Sequence, residues 1–192
     1  MPHPYDRTTY GGHTVDWLTR AALEATALRL GYDLTVLQGS YNTGGVSASA
    51  GTHDGGGAVD LAPADWQNKV REMRRTGFAA WHRPELWVNG KKVWGEHIHC
   101  VLIGNRKLSP AAQVQVAEYL RGEDGLADHR PDDGPRDFVN NRFRWRTGAK
   151  RISHAAALIE KARATLSTGI RGYQTRDART ALREAAQKLP KP

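Results

Sequence analysis

Residues 51–60 read Gly51-Thr52-His53-Asp54-Gly55-Gly56-Gly57-Ala58-Val59-Asp60, and residues 94–99 read Trp94-Gly95-Glu96-His97-Ile98-His99. In the first stretch a histidine closes a Gly-, Ser-, Asn- and Thr-rich loop. An aspartate follows inside the short apolar run Ala58-Val59-Asp60-Leu61, which reads as a strand. The three glycines between them permit positive φ and close backbone approach. The loop can therefore turn back and bring His53 and Asp60 to one point. The second stretch opens a strand from Glu96 to Ile103. Residues two apart on a strand share a face, so His97 and His99 project together while Ile98 and Cys100 face an apolar layer.

Imidazole nitrogen and carboxylate oxygen are donors that zinc favours, and a catalytic zinc keeps three protein ligands and one open position. Both strand histidines can be ligands, or one can bind metal while the other contacts substrate. With His53 and Asp60, His99 completes a His₂Asp set. Glu96 then suits a general base. A metal lowers the pKa of its water to about 7, and a neighbouring carboxylate can carry the proton to a leaving amine. On a regular strand Glu96 points away from His97 and His99. Its role requires an irregular backbone at the strand start, which Gly95 permits. Taken singly, a His-x-His pair reads as a half-exposed strand and the His53…Asp60 pair as a glycine turn. Their order, with an acid three residues before the last histidine, carries the site reading.

Working outward, the elements predict an α+β domain: a small antiparallel sheet with flanking helices that carries a zinc site, plus a helical C-terminal appendage. Val15, Leu18, Ala22, Leu23, Ala27 and Leu30 recur at helical spacing between a Thr14 N-cap and Gly31. Leu34–Gln38 reads as a strand. Pro63 and Asp65 open a polar helix that Gly77 closes. Glu85–Val88 and Lys91–Trp94 flank Asn89-Gly90, a strong hairpin signal. Ser109-Pro110 starts a helix as N-cap and first residue, which ends near Gly122. The expected division is a zinc domain over 1–121, a turn-rich linker over 122–150 and a basic helical hairpin over 151–192, with helices near 154–167 and 176–189.

The bulk properties narrow the class. Hydrophobic residues make up 39% of the 192, and there is one cysteine, so disulfides within the chain and four-thiolate metal sites are excluded. No run approaches the ~20 apolar residues of a membrane span. The N-terminus has no apolar core of a secretory signal. Charge is uneven. Residues 1–140 hold 15 Lys and Arg against 17 Asp and Glu, whereas residues 141–192 hold 13 against 3. Such a segment suits a polyanion or a solvated helical surface.

Thr52-His53-x-x-Gly-x-Ala-x-Asp60 followed by Glu96-x-x-His99 resembles the zinc D-alanyl-D-alanine carboxypeptidases and the L-alanyl-D-glutamate endopeptidases of phage endolysins. Their superfamily includes lysostaphin-type peptidases and the hedgehog domain. Asp60 lies seven positions after His53, as in the carboxypeptidase branch, whereas lysostaphin-type enzymes space the pair by four. The resemblance spans about residues 12–104. It implies Zn²⁺ on His53, Asp60 and His99, Glu96 as general base and acid, and His97 as a transition-state contact. It also implies that Gln38 contacts substrate, where relatives often carry Arg. Relatives place Ser two residues before the first histidine. Here that position is Gly51, so Thr52 or Ser49 takes the contact.

The implied substrate is the peptidoglycan stem peptide. The implied setting is the host cytoplasm until release to the wall, or a virion, with residues 141–192 on anionic wall polymers. One alternative is a catalytically idle zinc module for wall binding or recognition. A third reading, nucleic-acid binding, rests on Arg142, Arg144 and Arg146 interleaved with Phe143 and Trp145. No nucleic-acid motif accompanies them, which places it last.

Overall fold

The computed structural model describes residues 2–44 and 47–145 of the chain. It is α+β, with small antiparallel sheets and, among the described residues, three α-helices. The basic C-terminal helical hairpin expected over 151–192 lies outside the described residues.

The chain opens with a hairpin of β1 (Arg7–Tyr10) and β2 (His13–Asp16). Gly11 and Gly12 at its turn have φ of 56° and 84°, the positive values that a tight two-residue turn demands. Thr14 therefore sits in a strand opposite Thr9 and is not the expected helix cap. Asp16 caps α1 (Trp17–Leu30) instead, its carboxylate accepting from the Thr19 N–H at 2.7 Å. A carboxylate there satisfies an amide that the helix leaves unpaired. Gly31 ends the helix in the left-handed region, as its position in the sequence predicts.

The main sheet runs in the order β3 (Val36–Gln38), β4 (Ala58–Leu61), β8 (His97–Leu102), β5 (Phe78–Arg83), all antiparallel. Strand β5 was not expected. It follows α2 (Trp66–Thr76) through Gly77, which closes that helix with φ 109°. Leaving out β5 makes β8 an edge strand, whereas here it is central and buried from Ile98 to Ile103. The Asn89-Gly90 hairpin forms as expected from β6 (Leu86–Val88) and β7 (Lys91–Trp94). Ser109 caps α3 (Pro110–Arg121), accepting from Ala112, with Pro110 in the first turn.

Strand alternation sorts the sheet into two faces. Val59, Leu61, Phe78, Ala80, Ile98, Cys100 and Leu102 pack with Leu18, Ala22 and Leu23 of α1 and with Val70 and Met73 of α2. Ala58, Ala79, Trp81 and Val101 face the other way, against Ala112 and Tyr119 of α3. The apolar roles expected of Ile98 and Cys100 are thus met. On the second face the apolar residues give way to polar ones toward one end of the sheet, and the candidate site lies there.

Candidate metal centre

The strand register assembles the site. Gln38 pairs with Asp60, Asp60 with His99, and His99 with Trp81, so one row crosses four strands on one face. One step along, Arg83 pairs with His97. His53 comes from the loop before β4, folded over the row. The glycines explain that path. A Cβ at Gly55 would lie 2.2 Å from the Lys107 carbonyl oxygen, and Gly57 has φ 83° with Asn105 and Leu108 against it. Only residues without side chains let this loop pass so close to the segment before α3.

His53, Asp60 and His99 are all buried, and their ligand atoms lie within 4.8 Å of one another. Hydrogen bonds fix which ring nitrogens can donate electrons. His53 Nδ1 is 2.9 Å from the Gly39 carbonyl. A carbonyl only accepts, so Nδ1 carries the proton and Nε2 holds a lone pair. That Nε2 is buried without a hydrogen-bond partner, 3.3 Å from Asp60 Oδ1. His99 is oriented by Gln115 of α3. The Gln115 amide nitrogen donates to the Gly125 carbonyl at 3.1 Å, which turns Oε1 to His99 Nε2 at 2.8 Å. His99 Nε2 then carries the proton, and its Nδ1 lone pair faces Asp60 Oδ1 at 2.8 Å.

Two lone pairs and a carboxylate thus converge with no donor among them. A metal cation could sit among them, and without one a proton between His99 Nδ1 and Asp60 Oδ1 makes an ordinary hydrogen bond at 2.8 Å. The donor types, two imidazole nitrogens and one carboxylate oxygen, fit a divalent metal with a position left open. The backbone carbonyl behind His53 and the amide behind His99 are the partners that set tautomers in such sites.

In the metal-free protein protons on the imidazoles take the cation's place beside Asp60. Burial pushes the Asp60 carboxyl up, but the two imidazoles pull it much further down, so it is ionised. Burial lowers the pKa of His99, outweighing Asp60, and keeps it neutral. For His53, burial also works downward, yet Asp60 and the Gly39 carbonyl leave a net rise.

The cluster borders a cavity of about 290 Å³ that is lined also by Gln38, Ser49, Thr52, Arg83, Glu96, His97 and Gln115. The three expected substrate contacts are brought together. Gln38 and Ser49 hydrogen-bond through their side chains at 3.2 Å, and the Thr52 hydroxyl donates to the Ser49 carbonyl at 2.8 Å. His97 Nδ1 meets the Gly95 carbonyl at 2.6 Å, which leaves Nε2 as the acceptor. Glu96 precedes β8 and is half-exposed. Its carboxylate is 2.7 Å from His82 Nε2, and His82 stacks on Trp66 at 4.2 Å between ring centroids. Glu96 therefore borders the cavity while its carboxylate is held by a residue of the helix-covered face.

Sequence reasoning did not find Arg83, Gln115 or His82. The first and last lie on the unexpected β5. Gln115 is one polar residue among several on α3, and only its packing onto His99 distinguishes it. A second group, Glu118, Glu123 and His129, also places ligand atoms close together. Arg121 occupies Glu123 at 2.7 Å, and the group reads as an ion-pair network at the end of α3. No protein-family model, curated protein or solved structure matches the chain.

Proposed function

We propose that the chain is a zinc-dependent peptidase that hydrolyses an amide bond in peptidoglycan stem peptides, as an L-Ala-D-Glu endopeptidase or a D-Ala-D-Ala carboxypeptidase. The observation that carries the reading is the buried His53–Asp60–His99 donor set, with an orphaned His53 Nε2, at an open cavity. The motif resemblance supports the metal's identity and the substrate class. His53, Asp60 and His99 would hold the ion, which supplies Lewis acidity in such a site. Gln115 and the Gly39 carbonyl hold the ligand tautomers. Glu96 takes a proton from the attacking water and returns it to the leaving amine. For that its carboxylate turns from His82 into the cavity it already borders. His97, with Nε2 open as acceptor, lies on the same face as His99 and contacts the reacting group.

The testing experiment is mass spectrometry of purified peptidoglycan incubated with the protein, with chelator and Glu96→Ala as parallel samples. A metal-dependent new amino terminus on D-Glu identifies the endopeptidase, and released D-Ala identifies the carboxypeptidase. One observation favours a second reading, an idle zinc module for wall recognition: the Glu96 carboxylate rests on His82. Zinc bound in stoichiometric amount, with no cleavage of walls from several bacterial classes, selects it.

The basic segment 141–192 would hold the protein on anionic wall polymers. Cosedimentation with walls that did not weaken as salt rises would remove that role. Phe143 and Trp145 pack partly buried against the α1 core. That placement leaves little of either ring for base stacking, so nucleic acid stays the weakest partner. No described helix is long and apolar enough to cross a membrane.

A further inference from the structure

Two buried arginines flank the sheet, and their surroundings differ. Arg74 is 1% exposed and amply partnered. Its Nε and Nη2 both donate to the Ala80 carbonyl, Nη1 donates to the Pro135 carbonyl, and Nη2 meets the Asp132 carboxylate at 2.7 Å. Arg83 is 6% exposed, yet among the described residues it makes one hydrogen bond, from Nη2 to the Asp124 carbonyl at 2.5 Å. Among those residues no carboxylate forms an ion pair with it. Its guanidinium lies over the Trp81 ring, 5.1 Å from the centroid. Burial lowers its pKa to about 10, which leaves it charged at neutral pH.

Asp124 and Asp60 act on it only through space, and a buried cation without a direct ionic partner is costly. Arg83 lines the same cavity as His53, Asp60 and His99. A guanidinium carries five donors in a planar fork that matches a carboxylate, and among the described residues four of the five have no protein acceptor. Across the sheet the cavity wall is uncharged, with Gln38 and Ser49 on the β3 side. The cationic wall is on β5, next to the β8 strand that carries His99.

We propose that Arg83 is the anion-recognition residue of this cavity, pairing with a carboxylate on the substrate residue that adjoins the cleaved bond. The placement follows from the sheet, since β5 is one strand spacing, ~4.8 Å, from β8. Trp81 fixes the plane of the guanidinium, and the Asp124 carbonyl holds one end of the fork. The inference rests on the peptidase reading for what the ligand is, but its test does not need turnover.

The test is ligand-observed NMR titration of the zinc-loaded full chain with N-acetyl-D-alanine and with its amide. The wild type is expected to bind the acid about 10- to 100-fold more tightly, the range of a charge-assisted bidentate pair. In Arg83→Gln that preference should fall toward unity, with the amide's affinity unchanged. Arg83→Lys should recover part of it. Retained zinc stoichiometry and melting temperature show that the variants are folded. An acid preference that survives in Arg83→Gln assigns the carboxylate to the metal and overturns the proposal. Equal or absent binding of both probes by the wild type overturns it without any variant. Acid preference through Arg83 in a protein that cleaves no peptidoglycan sinks the peptidase reading alone.

Discussion

On the proposed reading, a proton and a metal would compete for the same place beside Asp60. In the metal-free protein the pKa of His53 is raised above its ordinary value of 6.5, by Asp60 and the Gly39 carbonyl against the opposing effect of burial. A raised folded-state pKa stabilises the metal-free fold below the unfolded value. That contribution disappears as pH rises through the folded value. Metal binding requires the neutral ring, so its dependence runs the other way. The increase in melting temperature on adding zinc should therefore grow from about pH 5.5 to about pH 7.5, as read by scanning calorimetry with and without zinc. A zinc increment that is flat with pH would mean His53 is not a ligand.

The orienting amide is open to a separate test. Gln115→Ala removes the acceptor that places the His99 proton on Nε2 and should weaken zinc binding about 10- to 100-fold. His53→Ala should cost more than that, since it removes a donor outright. Competition with a chromogenic chelator measures both. His53 and Asp60 were legible in the sequence because a glycine loop returns one to the other, and His99 because it shares a strand face with His97 and follows Glu96 by three; the pairing of His99 with Asp60 across β4 and β8 is long-range and comes from the fold. Gln115 and His82 were not, because each meets its partner through α3 packing or β5 pairing, and neither leaves a spacing to read.

Element boundaries follow the same logic. The Asn89-Gly90 hairpin, the Ser109-Pro110 helix start and the Gly31, Gly77 and Gly122 helix ends are local chemistry, and they fall where the residues place them. Thr14 and Asp16 are both good caps, and local preference cannot choose between them. The choice is made by the Gly11-Gly12 turn, which uses Thr14 in a strand. Strand β5 was missed because Phe78–Arg83 follows a helix directly and its apolar run, Phe78-Ala79-Ala80-Trp81, is short, without alternation and without a β-branched residue. Its Arg83 faces the cavity, while His82 points to the helix-covered side and stacks on Trp66. The Asp16 cap also serves tertiary structure. Its second oxygen accepts from Asn105 Nδ2 at 2.8 Å in a fully buried setting. Asp16→Ala should thus lose a cap, ~1 kcal/mol, and take from the buried Asn105 amide one of its two acceptors, leaving only the Thr19 hydroxyl, at ~1–3 kcal/mol. A loss of about 2–4 kcal/mol in urea unfolding is expected, against about 0.5 kcal/mol for Thr14→Ala on the hairpin. Equal effects would return the cap to Thr14.

At the scale of the whole molecule, residues after α3 fold back over the sheet and bear on the site from behind. Asp132 is fully buried against Arg74 and also accepts from Arg136 at 2.9 Å. Glu123 bridges to Pro131 to close the intervening loop. That loop supplies the Gly125 carbonyl that orients Gln115, the Asp124 carbonyl that holds Arg83, and Leu126 in the cavity wall. The segment is thus tied down at a buried ion pair and delivers its contacts to the cavity. Removing one member of such a pair leaves an uncompensated buried charge, which costs about 3–5 kcal/mol. Arg74 keeps its carbonyl partners, so Asp132→Ala should fall near the lower end, about 3 kcal/mol by urea unfolding. Zinc affinity should fall in the same variant although Asp132 touches no ligand, because the Gln115 anchor loosens. Lost stability with unchanged zinc affinity would show that α3 alone holds Gln115. In that case the loop is a clamp on the fold and has no hand in the site.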